Sequence, residues 1–138
     1  MYQERLLAEY RAPKNRRDMP GATARAERTN PICGDAIGVM VHVTNDVLRD
    51  VSFTGHGCSL AVASASLLTQ AVVQRACPDA LRLIDGVEAM IGGAAGDAVT
   101  LPGVLTPLMG VAPFPGRHGC VLMPWLALRD ALSRSTSR

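Results

Sequence analysis

The chain has 138 residues, of which 48% are hydrophobic and 19% charged, and its formal net charge is +2. That length suits one domain with a real core, and the composition is that of a globular protein rather than a disordered or fibrous one. A charge so close to neutral argues against nucleic acid or an anionic membrane surface as a partner.

The first residues, Met1-Tyr2-Gln3-Glu4-Arg5, lack the apolar core a signal peptide needs. The most apolar stretch, Gly57 to Val73, is broken by Ser59, Ser64, Ser66, Thr69 and Gln70. It falls short of the roughly 20 apolar residues of a membrane span. The expectation is a cytoplasmic protein, where cysteines serve as ligands or reactive thiols more often than as disulfides. The four cysteines, Cys33, Cys58, Cys77 and Cys120, form no C-x-x-C pair, which argues against a thioredoxin-type motif or an ordinary zinc ribbon.

In chain order, residues 2–11 read as a short helix with Leu6, Leu7 and Tyr10 on one side, ended by Pro13. Residues 12–21 are a charged loop with turn residues at both ends. Residues 22–29 alternate small and polar side chains, a weak strand. Ile37, Val39, Val41 and Val43 alternate with Gly38, Met40, His42 and Thr44, a strand over 36–44 with one buried face. Asn45-Asp46 turns the chain into a third strand over 47–55, with Val51 and Phe53 facing the core. The resulting antiparallel hairpin brings the region of Asp35 to that of Cys58.

Ser59 to Ala76 carries the clearest helical periodicity, through Leu60, Ser64, Leu67, Leu68, Ala71 and Val72, with Cys77-Pro78 ending it. Asp79 can cap a further helix over Ala80–Ile91, stopped by Gly92-Gly93. Residues 92–119 form a Gly- and Pro-rich loop with a short helix at Thr106–Gly110; a loop that long usually has a task. The last helix spans Val121 to Leu132, with Pro124 in its first turn and Trp125, Leu128 and Leu132 facing the core. Residues 133–138 read as a flexible tail. The expected fold is α+β: one domain over 1–138, with a small antiparallel three-stranded sheet (22–29, 36–44, 47–55) packed against four to five helices.

Three short segments carry the chemistry: Asn30-Pro31-Ile32-Cys33-Gly34-Asp35, Gly55-His56-Gly57-Cys58 and Arg117-His118-Gly119-Cys120. Cys58 and Cys120 fall at helix starts, where unpaired N–H groups favour a thiolate for metal binding or nucleophilic attack. Cys33 and Asp35, two apart in extended chain, point to the same side. Together they offer three thiolates and one carboxylate, a set zinc accepts. An iron–sulfur cluster could use the same thiolates. The competing reading is of small buried core residues, since free cysteine is among the most buried residue types. Glycines beside these three cysteines favour the metal reading by allowing close backbone approach. Cys77 lacks that setting and reads as an inert or semi-exposed thiol. His56 and His118 read as loop residues or hydrogen-bond partners of ligands more readily than as ligands. His42 reads as solvated. Arg117 reads equally as a surface ion-pair residue and as an anion- or partner-binding group.

These segments, followed by Ala63-Ser64-Ala65-Ser66 and joined by Gly110-Val111 and Phe114-Pro115, resemble the U-type iron–sulfur assembly proteins (IscU, the NifU N-terminal domain, SufU). The likeness extends from residue 2 to about 132 and is greatest to the SufU branch, which shares the insert at roughly 84–110. The resemblance implies a SufE/NifU-like fold and one zinc ion held by Cys33, Asp35, Cys58 and Cys120. It also implies a sulfur relay in which a pyridoxal-phosphate cysteine desulfurase of the SufS type hands persulfide sulfur to Cys33. In that picture the zinc exchanges a ligand with the desulfurase on docking, Arg117 contributes to docking, and downstream iron–sulfur machinery is the further partner. The protein would act with the desulfurase rather than as a stand-alone enzyme. Three features depart from the IscU pattern. Gly119 stands where the scaffolds carry a histidine, the chaperone-binding Leu-Pro-Pro-Val-Lys is missing, and Gln74-Arg75 replaces the usual Gly-Lys, which is expected to lengthen the middle helix. Two alternatives remain open: a scaffold that assembles and transfers a [2Fe–2S] cluster or binds iron, and a partner-binding module whose zinc is purely structural.

Overall fold

The strands form where the alternation is strongest. In a computed structural model describing residues 2–30, 34–92 and 101–136, β1 (Ala24–Asn30), β2 (Asp35–Thr44) and β3 (Val47–His56) make an antiparallel sheet in the order β1-β2-β3. Asn45 and Asp46 both take left-handed backbone, at φ 52° and 63°, as the tight two-residue hairpin turn requires. Ile37, Val39, Val41, Val51 and Phe53 are buried on one face, together with Ala26 of β1. Met40 is buried as well, so both faces of β2 are covered at that point. The outer edge of β3 is also covered. The Phe53 N–H donates to the Asn15 carbonyl and the Arg17 N–H to the Phe53 carbonyl, which docks residues 15–17 alongside the strand.

Among the described residues, four α-helices complete the fold: α1 (Tyr2–Arg11), α2 (Ser59–Val72), α3 (Cys77–Ile91) and α4 (His118–Thr136). Two 3-10 segments, Gly103–Val111 and Pro115–Arg117, lead into α4. Helix α2 is the centre. It touches α1, α4, β3 and the longer 3-10 segment, and every residue from Ala61 to Thr69 is buried. A helix that is small and apolar all round is built for such a position. Its buried polar side chains find partners. Ser64 Oγ accepts the indole N–H of Trp125 at 2.9 Å and donates to the Val121 carbonyl at 2.7 Å. Ser66 donates to Glu9 of α1, and Thr69 accepts from Asn15. The first of these bonds ties the opening turns of α4 to the middle of α2. A bidentate pair between Arg28 and Asp130, at 2.7 and 3.1 Å, ties α4 to β1.

Several boundaries differ from expectation. Helix α2 ends at Val72, not Ala76, because Val73 is extended and Gln74 takes a left-handed φ of 66°. Gln74 adopts the turn conformation a glycine would favour, so its presence does not lengthen the helix. The turn is held from outside: the Gln74 N–H donates to the Leu48 carbonyl, and the Gln74 side chain bonds Arg49. Cys77 therefore opens α3 rather than closing α2, with Asp79 in the first turn instead of at the cap. Helix α4 begins three residues early, at His118, which moves Pro124 out of the first turn; it continues through Ser133 to Thr136, where a loose tail was expected. In α1 only Leu6 is buried, whereas Leu7 and Tyr10 face solvent. The short helix expected at Thr106–Gly110 is a longer 3-10 segment. Gly93 and the rest of 93–100, like Cys33, lie outside the described residues.

Candidate metal centre

The hairpin register sets the site. Asn30 pairs with Asp35 and Ala36 with His56, so the start of β2 lies beside the end of β3 and the chain entering α2. Gly55 makes this possible. Its φ is +114°, and a Cβ there would stand 2.0 Å from the Ala36 carbonyl oxygen, a distance no side chain survives. Two residues on, Gly57 brings its backbone against Asp35; a Cβ would lie 3.4 Å from the carboxylate.

Asp35 is 7% exposed, an unusual position for a carboxylate. Its Oδ2 accepts the backbone N–H of Cys58 at 3.1 Å. Cys58 is the N-cap residue of α2 and its own side chain makes no capping bond, so Asp35 serves the N-cap amide from outside the helix. The favourable end of the helix dipole then faces the carboxylate. Cys120 arrives from α4, in the turn that the Trp125–Ser64–Val121 chain of hydrogen bonds holds in place. One ligand atom from each of Asp35, Cys58 and Cys120 lies within 4.8 Å of the others. Cys58 is exposed and Cys120 half-buried, so one side of this group is open to solvent.

The donor chemistry fits a borderline-soft divalent cation. Ligands on a tetrahedral zinc ion stand roughly 3.3–3.8 Å from one another. The three side chains are therefore near bonding separation already. The fourth expected ligand, Cys33, lies outside the described residues. The described chain resumes at Gly34, whose N–H donates to the Asn30 carbonyl at 2.8 Å and whose φ is +73°.

The remaining singled-out residues separate clearly. Both histidines face backbone carbonyls, so the facing Nε2 of each carries the proton. His56 bonds Gly34 at 3.1 Å and His118 bonds Ala112 at 2.9 Å. Neither belongs to the ligand group. Half-buried His42 contacts Thr44 through its Nε2 at 3.3 Å. Arg117 is exposed, and its guanidinium lies 5.9 Å over the Phe114 ring. Cys77 is 1% exposed, and burial, with Asp46 adding to it, pushes its thiol up to about 11. Gly119 has open space where a Cβ would sit, so the argument from flanking glycines applies to Gly57 and not to Gly119. The carboxylate capping the Cys58 amide was not anticipated. The register that aligns Ala36 with His56 was the available signal for it.

Comparison with known proteins agrees with this architecture. Residues 1–121 match the family described as the NifU-like N terminal domain. A protein named iron-sulfur cluster assembly scaffold protein IscU, from Streptococcus pyogenes serotype M1, is 33% identical over 99% of this chain and 86% of its own length. The zinc-dependent sulfurtransferase SufU of Bacillus subtilis (strain 168) is 30% identical over 97% of this chain and 90% of its own. Overall identity thus does not separate the two branches. A crystal structure of a candidate SUF-system scaffold from Fervidobacterium islandicum AW-1 superposes with a TM-score of 0.86, at 27% identity, covering 94% of each chain. The N-terminal part of a NifU-like protein from Brucella abortus reaches 0.89 at 18% identity, over 99% of this chain and 95% of its own, a likeness of fold. No helix among the described residues is long and apolar enough to cross a membrane. By sequence match and by fold, the chain belongs to the NifU-like N-terminal domain family.

Proposed function

We propose that this protein is a zinc-dependent sulfur relay for iron–sulfur cluster assembly. Cys33 is the sulfur acceptor, and Cys33, Asp35, Cys58 and Cys120 hold one zinc ion. The observation that carries this reading is the convergence of Asp35, Cys58 and Cys120 from three separate elements to within 4.8 Å. Such a group, open to solvent on one side, suits a site that must meet another protein. The donor is a persulfide on a pyridoxal-phosphate cysteine desulfurase. The Cys33 thiolate attacks the outer sulfur of that persulfide, a new S–S bond forms on Cys33, the donor S–S bond breaks, and the donor cysteine leaves as its thiolate. The exchange needs no external oxidant or reductant. Bound zinc would keep the thiols deprotonated and restrained until docking. Asp35, the single oxygen ligand, is the most readily exchanged of the four, and its bond to the Cys58 amide gives the carboxylate a place to stay when it is not ligating. Exposed Arg117 with Phe114 contributes to docking the desulfurase.

Cys33→Ala should abolish stimulation of a SufS-type cysteine desulfurase while leaving circular dichroism unchanged; retained stimulation overturns the assignment. The second reading, a scaffold that builds and passes on a [2Fe–2S] cluster, is favoured by relatives of that name at 33% and 31% identity. Anaerobic reconstitution decides between them: a stable coloured cluster that transfers to an apo-acceptor supports the scaffold.

A further inference from the structure

Between the longer 3-10 segment and α4 the chain makes a short, closely bonded loop. The Ala112 N–H donates to the Met109 carbonyl at 3.3 Å, the Phe114 N–H to the Val111 carbonyl at 2.9 Å and the Arg117 N–H to the Phe114 carbonyl at 2.9 Å. Pro113 and Pro115 restrict φ at two further positions. Across the neck of the loop, His118 Nε2 donates to the Ala112 carbonyl at 2.9 Å. That bond encloses residues 113–117, every one of them exposed. Among them are Phe114, 48% exposed, and Arg117, whose guanidinium lies 5.9 Å from the centre of the Phe114 ring. Phe114 therefore adds little to the core, and the bonds around it hold an exposed ring and cation in place. Gly116 is the permissive residue inside the neck, with open space where a Cβ would sit, so the loop can turn there once the neck is released.

We infer that His118 is a positioning residue for docking: its bond across the neck holds Phe114 and Arg117 in the orientation that the desulfurase meets. The inference deepens the sulfur-relay reading and rests on it. Side chains that are already ordered lose less freedom when a partner covers them, so loosening the neck weakens docking and leaves the chemistry alone. The metal end should keep its ion, because the bonds among Trp125, Ser64 and Val121 hold the turn of Cys120 independently. A merely structural role predicts another pattern, in which stability, zinc content and maximal rate fall together.

The test uses the full, zinc-loaded chain with His118→Leu, which removes the donor, His118→Gln, whose amide nitrogen reaches the point Nε2 occupies, and His118→Asn, which falls short of it. Stimulation of a SufS-type cysteine desulfurase is titrated with each protein, and hydrogen–deuterium exchange follows the Phe114 and Arg117 amides. In His118→Leu and His118→Asn, the concentration for half-maximal stimulation should rise and exchange should quicken, each by roughly three- to tenfold, the reach of one hydrogen bond. Maximal rate and zinc content should match the parent, and His118→Gln should bring half-saturation and exchange back to within about twofold. In a chain already carrying Phe114→Ala and Arg117→Ala, His118→Leu should add less than about twofold, since the side chains it orients are gone. An unchanged half-saturation in His118→Leu overturns the inference. So does its full effect persisting in the chain without Phe114 and Arg117, or loss of zinc from His118→Leu. A parent protein that stimulates no desulfurase overturns the sulfur-relay reading and the docking role with it, whereas a stimulating parent with an unaltered His118→Leu variant overturns the docking role alone. Should His118→Leu fail to fold, His118→Asn against His118→Gln gives the same decision.

Discussion

The two ends of the β2–β3 hairpin each bring an aspartate to a cysteine at a helix start, with opposite results. At one end Asp35 meets Cys58, the N-cap of α2; at the other, Asp46 meets Cys77, the first residue of α3. Both cysteines have the local setting expected to favour a thiolate. Yet Cys77 is sealed in the core with its thiol pushed up to about 11, while Cys58 is exposed beside a second cysteine. A helix N-terminus therefore does not make a reactive thiol by itself. Access to solvent and the company of other soft ligands decide the matter.

Damage to the two ends should separate. The largest effect is expected from Gly55→Ala, which places a methyl group into the Ala36 carbonyl and forces backbone to move at the metal end. It should cost about 3 kcal/mol or more in chemical denaturation and weaken zinc binding with it. Trp125→Ala should cost a similar ~3–5 kcal/mol by opening a cavity, and Ser64→Ala about 1–3 kcal/mol by leaving the indole N–H without its acceptor. Both should loosen the turn carrying Cys120. A chelator, by contrast, should leave circular dichroism in place, because hydrogen bonds and packing already hold Asp35, Cys58 and Cys120 together; loss of secondary structure on chelation would favour a purely structural zinc.

The far end should respond to pH instead. The folded pKa of Cys77 lies above its ordinary value, so its contribution to stability is complete below the unfolded thiol value of 9.0. The contribution fades as pH rises toward about 11. Denaturation midpoints should fall across that window in the parent protein and less in Cys77→Ala. The smallest effect concerns Ser52, fully buried with a hydroxyl that has no hydrogen-bond partner among the described residues. Ser52→Ala should be neutral or stabilise by about 1 kcal/mol, since it removes a polar group that water can no longer serve.

Much of this is legible in the amino-acid sequence. The hairpin, its turn and its buried face follow from alternation in residues 36–55, and the meeting of Asp35 with Cys58 follows from the hairpin. Helix boundaries were less legible where tertiary contacts override local preference. Gln74 takes a left-handed conformation because Leu48 and Arg49 supply hydrogen bonds there, and nothing in its own neighbourhood announces that. Helix α4 starts earlier than its sequence suggests, because Arg117-His118-Gly119 looks like loop until the His118 bond to the Ala112 carbonyl is seen. Cys77 reads from the sequence as an inert or semi-exposed thiol, and the structure gives the first of these, a buried one. Its position was set by the early end of α2, which depends on the hairpin turn docking beneath it.

The comparison reduces to which cysteines hold a metal. Elemental analysis of purified parent, Cys58→Ser, Cys120→Ser and Cys77→Ala proteins tests it most directly. The account predicts about one zinc per chain in the parent and in Cys77→Ala, and loss of most of it in the other two. Zinc retained by both Cys58→Ser and Cys120→Ser, or lost from Cys77→Ala, would contradict it.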